Sequence, residues 1–279
     1  MELEELLEKI QNLEIQGATE IALESVKALE RIDKEESTRE DLEEAKEKIL
    51  DTRPTEPALR NALNYAIETG RFEEVKKHLK NSRQEVAEKA AELIEDKENI
   101  YTHCHSTTVM EAIKENKNPE TTKIHNTETR PLFQGRKTAK ELAGVGFKVI
   151  HHVDAAAKYA LNESEVMIIG SDAIDSKGNI YNKIGSEMIA ELAEREKVPV
   201  FVLTDSWKFD PRTINGEKVP IERRNSKEVW KNPPGNVEIH NPAFERVDRS
   251  FIDRIVTETG IIQPEEAKER FRKEYPELL

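Results

Sequence analysis

The one cysteine of the chain, Cys104, lies in the run Thr102-His103-Cys104-His105-Ser106-Thr107-Thr108, between a short apolar segment and a helical pattern. A helix N-terminus favours a thiolate, and the free N–H groups of such a start favour phosphate. A small, inert, buried residue is the other ordinary fate of a free cysteine, and position alone leaves both readings open. His103 and His105 flank it, but successive residues of an extended chain point to opposite sides and no zinc-type spacing is present, so no metal is expected. Asp172 follows the apolar run Val166–Ile169 and a Gly170-Ser171 pair. A carboxyl half-buried at the mouth of a sheet has a raised pKa and can donate a proton; a helix cap or turn former is the bland alternative. Lys183 reads as standing at a helix start, where the dipole disfavours a cation, unless an anion is bound there or the lysine is simply solvated. Lys208 lies between Trp207 and Phe209, flanks that pack and also aim the ammonium. The loop Thr127–Lys137 carries three cations, Arg130, Arg136 and Lys137. The turn Gln16-Gly17-Ala18-Thr19 opens a helix, and Arg53 at the break Arg53-Pro54-Thr55 can give a bidentate phosphate contact; both are ordinary helix boundaries by default.

The elements that must position these groups change character near residue 99. Before it, apolar residues recur at helical spacing: Leu3, Leu6, Leu7, Ile10 and Leu13, then Ile21 to Ile32, with Ser37 or Thr38 capping a helix over 40–50, and a long helix over 72–96. After it, short apolar runs at 100–101, 123–125, 148–152, 166–169 and 198–203 alternate with helical segments. Alternation of this kind predicts a parallel sheet covered on both faces. Further strands are expected at Val219–Glu222, Val237–His240 and Asp253–Thr257, a hairpin turn at Asp175–Asn179, and a last helix from Pro264. The expectation is an α/β protein: an all-helical N-terminal domain over 1–98, then a doubly wound, Rossmann-like parallel-sheet domain over 99–279. Ligands of such sheets bind beyond the carboxyl ends of the strands, which is where Cys104, Asp172 and Lys208 fall.

Composition narrows the classes. The chain has 279 residues, 43 Lys and Arg against 56 Asp and Glu, and a net charge of −13. Such an acidic chain without a basic run is a poor nucleic-acid binder. No apolar stretch approaches a membrane span, and the acidic start MELEELLEKI does not resemble a signal peptide. One cysteine excludes a disulfide framework. The cytoplasm is the expected setting.

The motifs THCHS, TETRPLFQGRKTAKEL, YNKIGS, WKF, NPAF and TETGIIQP, in that order, resemble the archaeal ribose-1,5-bisphosphate isomerases. These are relatives of methylthioribose-1-phosphate isomerase and of the regulatory subunits of translation initiation factor 2B. The resemblance covers nearly the whole chain. It implies conversion of α-D-ribose 1,5-bisphosphate to D-ribulose 1,5-bisphosphate without a cofactor, in AMP salvage toward RuBisCO. It implies Asp172 as the acid that opens the ring and Cys104 as the base. For substrate contacts it implies Gly17, Ala18, Thr19, Arg53, Ser106, Thr107, Thr108, Asn182, Lys183 and Lys208. AMP as an activator, and a homodimer or a hexamer built as a trimer of dimers, are implied as well. Gln16 stands where the family commonly has arginine, which keeps methylthioribose 1-phosphate as an alternative substrate. A non-catalytic initiation-factor-2B-like regulatory subunit is the alternative of another class, and the presence of both Cys104 and Asp172 argues against it.

Overall fold

The computed structural model describes residues 2–12, 14–15, 18–35, 37–53 and 56–279, apart from the side chain of Ala18. Gln16, Gly17 and Leu13 lie outside the described residues. Five helices come first: α1 (Leu3–Gln11), α2 (Ala18–Lys34), α3 (Arg39–Thr52), α4 (Pro57–Thr69) and α5 (Phe72–Ile94). Their ends follow local chemistry. Thr38 caps α3 in a reciprocal box with Asp41, each side chain taking the other's backbone N–H. Pro57 opens α4, where a missing N–H costs nothing. Gly70 closes it in the left-handed conformation, at φ 68°.

The rest alternates: β1 (Asn99–Thr102), α6 (Thr107–Lys114), β2 (Lys123–Thr127), α7 (Gln134–Gly144), β3 (Lys148–His152), α8 (Ala157–Asn162), β4 (Val166–Ile169), β5 (Ala173–Ile174), β6 (Ile180–Lys183), α9 (Ser186–Glu196), β7 (Val200–Leu203), β8 (Phe244–Val247), β9 (Arg254–Thr257), β10 (Gly260–Ile262) and α10 (Ala267–Glu274). Seven strands form one sheet in the order β10-β9-β7-β4-β1-β2-β3, parallel except for β10. The winding runs outward from β1 in one direction through β2 and β3, and in the other through β4, β7 and β9. Its switch point is therefore between β1 and β4. The strands β5, β6 and β8 make a small antiparallel sheet beside it.

Alternation along β4 shows why the main sheet is stable. Met167 and Ile169 join a core with α8 and α9, while Val166 and Ile168 face α6, α7 and the second half of α5. All four are fully buried, as a strand covered on both faces must be. The helix-only stretch ends at Ile94, but the cores cross that boundary. Val86, Ala90 and Ile94 of α5 pack with Ile100 and Ile168 of the sheet, and Leu59 and Leu63 of α4 share a core with Trp207 and Phe209. Among the described residues, no helix is long and apolar enough to cross a membrane.

Two expected strands are absent. Segments 219–222 and 237–240 are irregular, joined to one another's neighbourhood only by the Arg223–Pro242 bridge and bonds such as Ala243 N–H to Glu222 O at 2.9 Å. Pro220 has no N–H for a ladder, and Val237 is exposed, so neither segment offers a strand both a partner and an apolar face. The strand of this region is β8, which pairs with β6. Strand β9 starts at Arg254, within the expected stretch. The hairpin turn at 175–179 joins β5 to β6, with Asp175 Oδ1 accepting the N–H groups of Lys177 and Asn179.

Candidate active site

The loops after β1 and β4 meet at the switch point. Ile100 pairs with Val166 and Tyr101 with Met167, so the chain leaving β1 carries Cys104 and the neighbouring chain leaving β4 carries Asp172 to the same edge. Close approach needs Gly170: a Cβ there would lie 2.6 Å from the Ser106 hydroxyl oxygen and 2.8 Å from its Cβ. Both residues line a cavity of about 630 Å³. A smaller lobe of about 90 Å³ shares Asp172, Lys208 and Phe244 with it.

Cys104 is held in the left-handed conformation, at φ 69°, which costs a residue with a Cβ about 1 kcal/mol or more. Its N–H donates to Thr129 Oγ1 at 3.1 Å and its carbonyl accepts from Thr138 Oγ1 at 2.7 Å. Upstream, His103 is fully engaged. Nδ1 is 2.8 Å from Thr127 Oγ1 and Nε2 is 3.0 Å from the Ile184 carbonyl. Only an N–H can serve a carbonyl, so Nε2 carries the proton and Nδ1 accepts from Thr127. Burial lowers the pKa of this ring, and the neutral form clamps the end of β1 to the turn before α9. Both flanking histidines are thus structural: His105 Nδ1 lies 3.0 Å from Thr138 Oγ1.

Burial pushes the Cys104 thiol up to about 11. The His105 N–H and Lys183 pull the other way, and Asp172 and Asp154 add to the rise. This reverses the expectation of a thiol acidified by a helix start. Ser106 is the cap of α6, so Cys104 stands two residues ahead of it, beyond the first turn where the dipole acts, and desolvation dominates. Asp172 has its carboxyl open to the cavity, yet protein surrounds the cavity so closely that burial pushes its pKa above the ordinary value. Lys208 and Lys183 oppose this rise and Glu222 adds to it.

The cations stand on rigid elements. Lys208 Nζ donates to the Ser171 carbonyl at 2.5 Å. Lys183 is the last residue of β6, three residues ahead of α9 rather than at its start, and its ammonium lies 4.3 Å from the centre of the Phe244 ring on β8. Asn182, beside it, donates to Ser186 Oγ at 3.0 Å. Ser106, Thr107 and Thr108 begin α6 at the cavity wall, a helix start of the kind that favours anions, and Thr19 near the start of α2 lines the same cavity. Arg53 ends α3 and lines the smaller lobe with its Nε unpaired. Of the residues singled out from the sequence, Gly17 and the Ala18 side chain lie outside the described residues; the others named here line these two lobes. Sequence reasoning missed Glu56 and Glu222 in the smaller lobe and Ser82, Arg83 and Asp205 in the larger. None carries a local signal, because helices and loops far apart in the chain bring them there. Gln134 and Lys137 line the cavity too, and their basic loop was the only hint of them.

A thiol and a carboxyl thus meet at the switch point of a doubly wound sheet. The profile of the initiation factor 2 subunit family matches residues 14–264, and the chain belongs to that family. Within it, a ribose 1,5-bisphosphate isomerase of Thermococcus kodakarensis is 35% identical, over 97% of this chain and 94% of the relative. A methylthioribose-1-phosphate isomerase of Fervidobacterium nodosum is 30% identical over 80% of this chain and 73% of the relative. Among solved structures, a translation initiation factor eIF-2B of Pyrococcus horikoshii OT3 is similar with a TM-score of 0.80 and 26% identity, covering 94% of this chain and 97% of the other.

Proposed function

We propose that this protein is an isomerase converting α-D-ribose 1,5-bisphosphate to D-ribulose 1,5-bisphosphate. The observation that carries the reading is the emergence of Cys104 and Asp172 from adjacent strands into one cavity lined by Lys183 and Lys208, with Arg53 in the adjoining smaller lobe. The identity of 35% over 97% of the chain with a relative of that name supports the choice of substrate over methylthioribose 1-phosphate. A thiol and a carboxyl facing the cavity support an enzyme over a purely regulatory subunit.

The substrate dictates the order of events. Its O1 is phosphorylated, so opening the ring cannot release a free aldehyde. Cys104, as thiolate, takes the C2 proton; the C2–H electrons form the C1–C2 double bond as the C1–O4 bond breaks; Asp172 protonates O4. The enol then collapses: Asp172 takes back a proton from the C2 hydroxyl, C2 becomes the carbonyl, and the Cys104 thiol returns its proton to C1. Both groups end as they began and no redox partner is needed. The working form has Asp172 protonated and Cys104 ionised, the reverse of the order in which their pKa values release protons. It is reached by moving one proton from thiol to carboxyl. Neutralising Asp172 removes a charge that raises the thiol, which eases this shift. The start of α6, at Ser106, Thr107 and Thr108, binds one phosphate. Arg53 and Lys208, with Thr19 and, by resemblance to the family, Gly17 and Ala18, take the other, and Asn182 and Lys183 hold the sugar between them.

The reading extends to a cytoplasmic homodimer or trimer of dimers activated by AMP, which rests on resemblance to the family. The test of function is an NMR assay in D2O with α-ribose 1,5-bisphosphate, with and without AMP, and with methylthioribose 1-phosphate as comparator. Ribulose 1,5-bisphosphate is expected, with the hydrogen added at C1 coming from C2 except where the Cys104 thiol exchanges with solvent before the return step. Absence of the ketose from folded protein, or preference for the methylthio sugar, overturns the assignment.

A further inference from the structure

Behind the turn that carries Lys208, a second set of titratable groups, with Asp205 itself reaching the wall of the larger cavity, ties the helices to the sheet. His78 comes from α5, Asp205 from just after β7, and Glu258 from just after β9. His78 Nε2 is 2.9 Å from Asp205 Oδ1, and the Ser82 hydroxyl donates to Asp205 Oδ2. The Ser206 N–H donates to Glu258 Oε2 at 3.0 Å, its hydroxyl donates to Oε1, and the Tyr275 hydroxyl donates to Oε1 at 3.1 Å. The His78 ring stacks on Trp207 with centres 3.8 Å apart.

These groups surround the short turn Ser206–Lys208, and almost every polar backbone atom of that turn is held. Asp205 Oδ1 accepts the Trp207 N–H at 2.8 Å and Asp205 O accepts the Lys208 N–H at 3.1 Å. Asn61, buried on α4, donates to the carbonyls of Trp207 and Phe209, both at 2.7 Å. A surface turn needs no such investment. What it carries is Lys208, whose ammonium reaches the Ser171 carbonyl next to Asp172. The ligand atoms of His78, Asp205 and Glu258 lie within 4.8 Å of one another, close enough for a metal ion. All four carboxylate oxygens already accept protein donors, however, and the arrangement is complete without one.

We propose that His78, Asp205 and Glu258 are positioning residues that hold the 206–208 turn and so aim Lys208 at Asp172, making the acid of the site depend on α5 being seated against the sheet. The proposal rests on the reading of Asp172 as the acid. The charges inside the network fit this role. Burial opposes a charge on His78, but Asp205 outweighs it and the ring is raised, with Glu85 and Glu258 adding to the rise. Burial likewise opposes a charge on Asp205, yet His78 and its hydrogen bonds hold it down to about 2. Burial and the Asp205 charge push Glu258 up. One compact ion pair beside a carboxyl kept toward its neutral form resists both loosening and hydration.

Lys208 holds down the Asp172 carboxyl, as Lys183 does from β6, while burial and Glu222 raise it; Glu56 and Cys104 share the same field. A misaimed Lys208 must therefore raise the Asp172 pKa. The measurement is a titration of the Asp172 carboxyl carbon by NMR in unliganded, 13C-aspartate-labelled protein, the resonance being assigned by its loss in Asp172→Asn. His78→Phe keeps the stack on Trp207 and loses the Asp205 pairing; Glu258→Gln keeps the shape but puts an amide donor where a carboxyl oxygen accepts from Ser206 or Tyr275; Asn61→Ser loosens the turn without changing any charge. Each is expected to move the midpoint upward, in the direction of Lys208→Met, and to lower kcat/KM about tenfold or more, since small misplacements near a reacting centre are costly. In the Lys208→Met background the same changes should move the midpoint no further. An unchanged midpoint in the folded variants overturns the proposal. So does an equal shift without Lys208, which would mean direct action of the network's field. The readout needs no turnover, so a failed substrate assignment would show as an inactive wild type and leave this result standing.

Discussion

Cys104 and Asp172 stand at the ends of hydrogen-bonded neighbours, β1 and β4, and the Asp172 charge raises the Cys104 thiol. The thiol and the carboxyl are therefore coupled through space as well as through the sheet. In the proposed reaction one is the base and the other the acid. Replacing Cys104 by Ser or Asp172 by Asn is expected to lower kcat about 10² to 10⁴-fold, the usual worth of a positioned acid or base. Circular dichroism should be unchanged. Turnover close to wild type in either variant would remove that residue from the mechanism.

The pH profile follows from the same pair. As pH rises, Asp172 loses its proton first, at a value raised by burial, and Cys104 later, near 11. The fraction with Asp172 protonated and Cys104 ionised is flat between these points and falls outside them. The kcat/KM profile should show a plateau bounded by the raised Asp172 value on the acid side and reaching toward 11 on the alkaline side. Glu222 raises Asp172, so Glu222→Gln should move the acid limb to lower pH. Lys183 lowers the thiol, so Lys183→Met should move the alkaline limb upward. Limbs that stay in place in both variants would show that other groups govern the rate.

Gly170→Ala places a methyl group 2.6 Å from the Ser106 hydroxyl oxygen. The end of β4 and the start of α6 must then separate. Overpacking of this kind costs about 1–3 kcal/mol, and thermal denaturation should register it. A rise in KM should accompany it, because Ser106 caps the helix whose N–H groups face the cavity. Unchanged Tm and KM would mean that the two loops have slack between them.

Thr129→Val removes the hydroxyl that accepts the Cys104 N–H. A backbone donor left unpaired beside a strained residue costs about 1–3 kcal/mol. The expected result is a modest loss of stability and a larger loss of kcat, as Cys104 relaxes from its left-handed conformation. Thr129→Ser, which keeps the acceptor, should restore both. Equal activity in the Val and Ser variants would show that Thr129 does not hold the thiol.

Much of this protein is legible in its residues. The apolar spacing of α2 to α5, the Thr38 cap, Pro57 and the buried run of β4 are local signals, and local physics honours them. Because the crossover rule sends ligands to the carboxyl ends of strands, even the placement of Cys104 and Asp172 at one edge follows from the chain order. The segments misread as strands, 219–222 and 237–240, are those whose pairing depends on a distant partner. β6 finds that partner in β8 instead, and no window of sequence contains both.

What the tertiary structure alone decided is electrostatic and long-range. A helix start favours an ionised thiol, but Cys104 stands ahead of the first turn of α6 and the packing around it desolvates it. Lys208 reads as a lysine between aromatics; its aim depends on Asn61, His78 and Glu258, which approach from α4, α5 and the end of β9. Residue types and periodicity determine which elements form and which edge they share. Burial, and thus the pKa values and the pairing of charges, depends on what all the other elements do at once, and only the folded chain contains that information.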